Sequence, residues 1–320
     1  MAKPVPLVLV LTVFSLGCQS KEKTRALVMQ EKLREPDPHA KIAAAHVIAD
    51  EAALGNRELT ILLPDLLQTI AVNEERFRPK DGGPETSPSE VSRRAVLAMR
   101  PPPVPELIGF LGKEHKWAIQ GAAATVLGEM KAKEAVPALA ALLEEPDEFS
   151  AGHLQYKTMH ALGQIGDPRA VAPLVAYARR DPKQCNRAIP SVAMIPGRET
   201  ADALLAVAGD ATAPCREAAL GSLGKTGDSR AAPLLIAAMK DKGLDADLRQ
   251  TAALALGDLR EPRVVEALIE ALESCRELRE PDSSIPNWMA HSLKRLTGQE
   301  LGESRAAWQT WWTANAATFK

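Results

Sequence analysis

The chain has 320 residues, 46% of them hydrophobic but only 4% aromatic, enough apolar material for one large domain or two ordinary ones. A formal net charge of -2 and a pI near 6.3 give no cationic footprint of the kind that binds nucleic acid. Alanine and leucine dominate the apolar set and no long β-branched run occurs, so a sheet is disfavoured and an all-α fold is expected.

At the amino terminus Lys3 precedes an apolar run from Val5 to Leu16, too short to span a bilayer, which ends at Leu16-Gly17-Cys18. These residues resemble the signal peptide of bacterial lipoproteins, in which a small residue precedes the lipidated cysteine. Ser15 holds the place of that family's Leu, and Leu16 follows one residue later. The resemblance implies a signal peptide over residues 1–17, lipidation of Cys18, and a polar tether over 18–35. Gln19 after the cysteine implies sorting to the outer membrane, facing the periplasm. More than one acyl chain gives such a protein stable anchoring.

Residues 36–114 read as divergent helical hairpins: Ala40 to Leu54 with Leu62 to Ile70, and Val91 to Met99 with Val104 to Leu111. The stretch Arg78 to Ser89, rich in Pro and Gly, is a loop. From 115 to 275 the chain repeats itself. Leu127-Gly128, Leu162-Gly163, Leu223-Gly224 and Leu256-Gly257 mark one position, with Met194-Ile195 as a degenerate fifth. Apolar residues four and one before each Gly form a helical stripe, as in Leu220 with Leu223 and Ala253 with Leu256. The Gly is expected to end its helix as a left-handed cap. Turns follow at Gly166-Asp167-Pro168-Arg169, Gly227-Asp228-Ser229-Arg230 and Arg260-Glu261-Pro262-Arg263, where Asp167 and Asp228 suit N-caps. A second helix then begins, as in Ala170-Val171 with Leu174 and Ala231-Ala232-Pro233 with Leu235.

These residues closely resemble HEAT repeats, in particular the short Leu-Gly-rich variety named after phycobilin lyases. The resemblance implies an α-solenoid of about seven helical hairpins, with Asp167, Asp228, Arg169, Arg230 and Arg263 tying one hairpin to the next. Residues 276–320 make a C-terminal cap: a loop over Glu280 to Ser284, a helix over Trp288 to Leu296, and a last helix bearing Trp308, Trp311 and Trp312 at i, i+3 and i+4. The tryptophans either cover the final hydrophobic face or form a partner-binding patch. Arg187, Arg216 and Arg249, each eight residues before a mark, with Gln120 and Gln155 in the earlier units, line up as a row. That row either ties repeats together or faces an acidic ligand.

With Cys18 lipidated, Cys185, Cys215 and Cys275 remain. Cys185 and Cys215 fall on successive helices, whose axes lie about 8–10 Å apart, so two buried thiols are expected, with a disulfide as the alternative where the side chains face each other at a close crossing. No metal site, cofactor loop or nucleophile elbow is expected. His39 with His46, and His153 with His160, lie seven residues apart on shared helix faces without ligand spacing. Deoxyhypusine hydroxylases build a di-iron site on His-Glu dipeptides within such repeats, and this chain has none. The acidic run Glu144, Glu145, Asp147, Glu148 reads as a solvated turn. The expected function is therefore a non-enzymatic, membrane-anchored scaffold that binds another protein of the bacterial cell envelope, with no catalytic residues or cofactor. The alternative implied by the resemblance is a phycobilin-lyase-like enzyme or chaperone.

Overall fold

The computed structural model describes residues 25–72, 76, 85–145, 153–277 and 285–319. The signal peptide, Cys18, Asp147, Glu148, the loop over 280–284 and the Cys275 side chain lie outside the described residues. The chain divides at Ala161 into two units. Every described segment of regular structure longer than a bridge is helical, as the Ala and Leu content requires.

In the first unit, residues 25–34 form helix α1, where a polar tether is expected. The difference has a plain cause: Ala26, Met29 and Leu33 fall at i, i+3 and i+7 and are buried. The charged residues between them also hold the helix in place. Arg25 pairs with Glu51 at 2.7 Å, and Gln30 and Arg34 both reach Asp65, at 2.8 and 2.7 Å. Helices α2 (Pro38–Ala53), α3 (Leu63–Val72), α4 (Pro88–Ala98), α5 (Val104–Gly109), α6 (Trp117–Glu129) and α7 (Val136–Glu144) follow, and α8 (His153–Ile165) crosses the division between the units. Asp37 caps α2 and Ser87 caps α4, each with Pro in the first turn, where a missing N–H costs nothing. The core of α3, α4 and α6 is Leu63, Leu66, Leu67, Val91, Ala95, Leu127 and their neighbours, all buried.

The second unit is more regular. Helices α9 (Val171–Arg180), α10 (Cys185–Ala193), α11 (Arg198–Gly209), α12 (Arg216–Leu223), α13 (Ala231–Lys240), α14 (Ala246–Leu256), α15 (Pro262–Glu277), α16 (Ile285–Thr297) and α17 (Arg305–Asn315) fall into two layers. One layer stacks α10, α12, α14 and α16; the other stacks α9, α11, α13, α15 and α17. The sequence pattern pairs each Leu-Gly helix with the helix after it. In the structure its extensive partner is the helix before it, α9 with α10, α11 with α12, α13 with α14 and α15 with α16.

The marker glycines do not act as left-handed caps. Gly224 and Gly257 have φ of -56° and -63°, and Gly163 lies inside α8. Their role is close approach of the next helix in the layer. A Cβ on Gly224 would stand 2.3 Å from the Ala255 carbonyl oxygen, one on Gly163 2.8 Å from that of Ser191, and one on Gly257 3.1 Å from Ser292 Cα. The left-handed residue comes three positions later, at Gly166 (φ 70°) and Gly227 (φ 64°); after Gly128 that place is held by Lys131 (φ 53°).

The same contacts correct the register of the degenerate unit. Met194 is 45% exposed, so it cannot replace a buried Leu. Ser191 meets Gly163 as Ala255 meets Gly224, and Ala255 lies two residues before its own mark. The structural equivalent of Leu-Gly in α10 is therefore Val192-Ala193, with Val192, Ile189 and Ala188 all fully buried.

Candidate functional site

With this register Arg249, Arg216 and Gln120 share one role, and Arg187 falls outside the predicted row. Arg249 is buried and its Nε donates to the Met239 carbonyl at 3.3 Å, near the C-terminus of α13. Arg216, half-buried, donates likewise to Ala208 near the end of α11 at 3.2 Å. Gln120 gives Nε2 to the Leu111 and Gly112 carbonyls just past α5, at 3.1 and 3.0 Å. The last carbonyls of a helix lack intrahelical partners, and these side chains supply donors to them. Arg187 is not in the row: it is exposed on α10, and the register puts Cys185 in the place of Gln120, Arg216 and Arg249.

Cys185 forms a disulfide with Cys215, the residue before α12, with Cα atoms 5.1 Å apart. This corrects the expectation of two buried thiols. Axis separations are a poor guide here, because both cysteines sit at the N-terminal ends of stacked helices and face each other. Both sulfurs lie against the Ala178 carbonyl oxygen near the end of α9, at 3.9 and 3.5 Å.

Among the turn residues, Arg230 and Arg263 reach a neighbouring repeat, while the bonds between Asp167 and Arg169 close a single turn. Asp167 accepts from the Arg169 backbone N–H at 3.0 Å and from its guanidinium at 2.9 Å. Asp228 accepts from the Arg230 side chain at 2.6 Å, which holds the carboxyl below its ordinary range. Arg230 also reaches back to Asp202 on α11 at 2.6 Å, and Arg263 donates to the Ser229 carbonyl of the preceding turn at 2.5 Å.

The tryptophans divide in the same way. Trp308 is fully buried and donates Nε1 to the Gly302 carbonyl at 2.7 Å. Trp312 is buried, donates to Glu266 on α15 at 3.3 Å, and meets the Phe319 ring edge-to-face at 5.3 Å. Trp312 ties α17 to α15, the capping arrangement, and Trp308 ties α17 to the turn before it. Trp311 is half-buried, its ring edge-on to Trp308 at 6.2 Å.

Two features escaped the sequence pattern. A cleft of about 380 Å³ in the first unit lies between Asn56 and Thr60 on one side and Met99, Arg100, Pro101, Pro102 and Pro103 on the other. The Arg100 guanidinium donates to the Leu97 and Met99 carbonyls, both at 2.8 Å. The second is an exposed aromatic and imidazole face on α6 and α8. Its signal was available in the i, i+3, i+4, i+7 spacing of His153, Tyr156, Lys157 and His160. Among the described residues no cluster of His, Cys, Asp and Glu could hold a metal ion, and no helix is long and apolar enough to cross a membrane.

The family model for HEAT repeats matches residues 104–193 and 201–281. Its two segments run from α5 to the end of α10 and from within α11 to beyond α15, in phase with the observed pairing. Among solved structures, an importin-β aligns at 14% identity with a TM-score of 0.53, over 94% of this chain and 45% of that one. Yeast importin-β aligns at 14% with a TM-score of 0.53, over 90% and 43%. The chain thus spans less than half the length of these structures. The CpcE–CpcF complex of a Nostoc phycocyanin lyase aligns at 16% over 85% of this chain and 94% of that one, with a TM-score of 0.33. No curated protein matches the chain. With the family model covering more than half of its residues and the two helical layers of the second unit built as that model implies, the chain belongs to the HEAT-repeat family, an α-solenoid fold.

Proposed function

We propose that this chain is a non-enzymatic HEAT-repeat scaffold of the bacterial cell envelope, anchored through lipid on Cys18, that binds another envelope protein. The observation that carries the reading is the use of its chemical side chains. Arg216, Arg249, Gln120, Asp167, Asp228, Trp308 and Trp312 all serve the stack, as helix-end donors, turn ties or cap. Stacked layers of this kind present extended surfaces to partners, and yeast importin-β, which shares the fold, forms a complex with Nup1. The Cys185–Cys215 disulfide supports export, because such bonds persist in oxidising compartments. Leu16-Gly17-Cys18 supplies the route and Gln19 the outer-membrane destination.

The test is envelope fractionation with intact mass, comparing wild type with Cys18→Ala, followed by capture from detergent-solubilised envelope. The reading expects lipid mass and membrane association that Cys18→Ala abolishes, and recovery of one defined envelope protein. Unmodified wild type in the cytoplasm defeats the anchor, and failure to recover a protein partner defeats the scaffold.

A further inference from the structure

We propose that the corner of the first unit formed by Leu27 and Val28 on α1 and Leu54 at the end of α2 rests in the headgroup and acyl boundary of the bilayer that holds the lipid on Cys18. The inference rests on the anchor reading and says how the folded chain meets that membrane. Among the described residues, five of the eight exposed large apolar or aromatic side chains lie between residues 27 and 72, so this surface is concentrated in the part of the chain next to the anchor. Leu27 and Val28 are 52% and 43% exposed, on the side of α1 away from its buried stripe of Ala26, Met29 and Leu33. Leu54 is 88% exposed. The turn that presents it is hydrogen-bonded throughout: Gly55 takes the left-handed conformation (φ 84°), its N–H donates to the Ala52 carbonyl at 3.0 Å, and the Asn56 N–H donates to that of Glu51 at 3.3 Å. The Arg25–Glu51 ion pair, at 2.7 Å, joins the first described residue of α1 to the last turn of α2. Arg25 stands three residues before Val28 and Glu51 three before Leu54, so this pair brings the aliphatic side chains to one corner.

Chain length determines what covers it. Helix α1 occupies much of the expected tether and leaves residues 19–24 between Cys18 and Arg25. Seven residue steps reach about 25 Å at most when fully extended, so a lipid on Cys18 keeps this corner within that distance of the bilayer surface. At the resulting effective concentration a weak affinity suffices. Charge is not the attraction. Arg25 and Glu51 neutralise each other, exposed Asp50 and Glu31 offset exposed Lys32, and Lys21, Glu22 and Lys23 precede α1. Single exposed apolar residues are ordinary, but three grouped around a neutral ion pair beside an anchor suit the lipid boundary, where binding scales with the apolar area buried.

The test uses the full lipidated chain in liposomes of phosphatidylethanolamine and phosphatidylglycerol. With Cys18 lipidated and Cys185 bonded to Cys215, Cys275→Ser leaves an introduced cysteine as the single thiol for an environment-sensitive NBD label. A label at Leu54→Cys, and separately at Val28→Cys, should shift its emission to the blue and be quenched by lipids carrying a nitroxide on the acyl chain. Both responses should survive high salt, which screens attraction between charges. A label at Lys116→Cys, an exposed position before α6, should show neither. Leu27→Ser with Val28→Ser, both at exposed sites, should lose most of the quenching at residue 54. A label at residue 54 that stays solvent-like on liposomes overturns the inference, as does a blue shift without nitroxide quenching, the result expected if a second copy of the chain covers the corner. In either case lipid mass on Cys18 leaves the anchor standing. Intact mass without lipid defeats the anchor reading itself and this inference with it.

Discussion

Helices α10 and α12 occupy successive places in one layer, yet they are held there by different means. Helix α12 uses a marker glycine, Gly224, for close approach to α14, and Arg216 to satisfy the end of α11. Helix α10 has Ala193 where the glycine would be and Cys185 where the arginine would be, and it is joined covalently to Cys215. A carbonyl near the end of the preceding helix meets a guanidinium in one repeat and a disulfide in the other. A repeat can therefore lose its signature and keep its place, provided another interaction takes over the tie to its neighbour.

The largest expected effect comes from breaking the covalent tie. Replacing both cysteines, Cys185→Ser with Cys215→Ser, should lower stability by roughly 3 to 4 kcal/mol through the restored freedom of the unfolded loop, read by urea unfolding with and without reductant. Unchanged stability would mean that packing alone holds α10. The glycine tie comes next. Gly224→Ala forces a Cβ into the Ala255 backbone and should cost about 2 to 3 kcal/mol, whereas Ala193→Gly, with its larger unfolded-state entropy, should cost only about 1 kcal/mol.

The arginine positions sharpen the contrast. Arg249→Met leaves the Met239 carbonyl without its donor and should cost about 1.5 kcal/mol, while Arg187→Met, at an exposed site on α10, should stay within about 0.5 kcal/mol; equal effects at the two sites would restore the row read from sequence spacing. The smallest effect is electrostatic. Hydrogen bonds from Arg230 depress the Asp228 carboxyl, so its contribution is present above the unfolded carboxylate value near 4 and is lost as pH falls through the lower folded value. Asp228→Asn should therefore lower stability at pH 7 by less than about 1 kcal/mol, with the difference fading in acid. A constant gap down to pH 2 would point to a neutral hydrogen bond instead.

Much of the second unit is legible in the sequence because each repeat restates the same packing problem. Leu220 and Leu223, or Ala253 and Leu256, face the core for the same reason, and Asp167 and Asp228 cap the same turn. The errors fall where one residue type serves two purposes. A glycine near a helix end reads as a left-handed cap or as a close approach, and only the neighbouring backbone decides which. Met194-Ile195 imitates Leu-Gly by spacing, but burial belongs to Val192. Helix α1 is obscured by its charges, although Ala26, Met29 and Leu33 already carry the helical stripe. The candidate sites were harder still. A row of arginines in sequence does not show that Arg249 turns inward to a carbonyl, nor do three tryptophans at helical spacing show that Trp308 and Trp312 are buried while Trp311 is not.

The Cys185–Cys215 disulfide fastens α10 to α12, and the proposed envelope location would supply the oxidising conditions in which such a bond persists. The decisive measurement is peptide mapping of protein alkylated at once on extraction from its own cells, without reductant. A cross-linked peptide pair joining Cys185 to Cys215 is expected; recovery of both as alkylated, unlinked cysteines would rule the bond out.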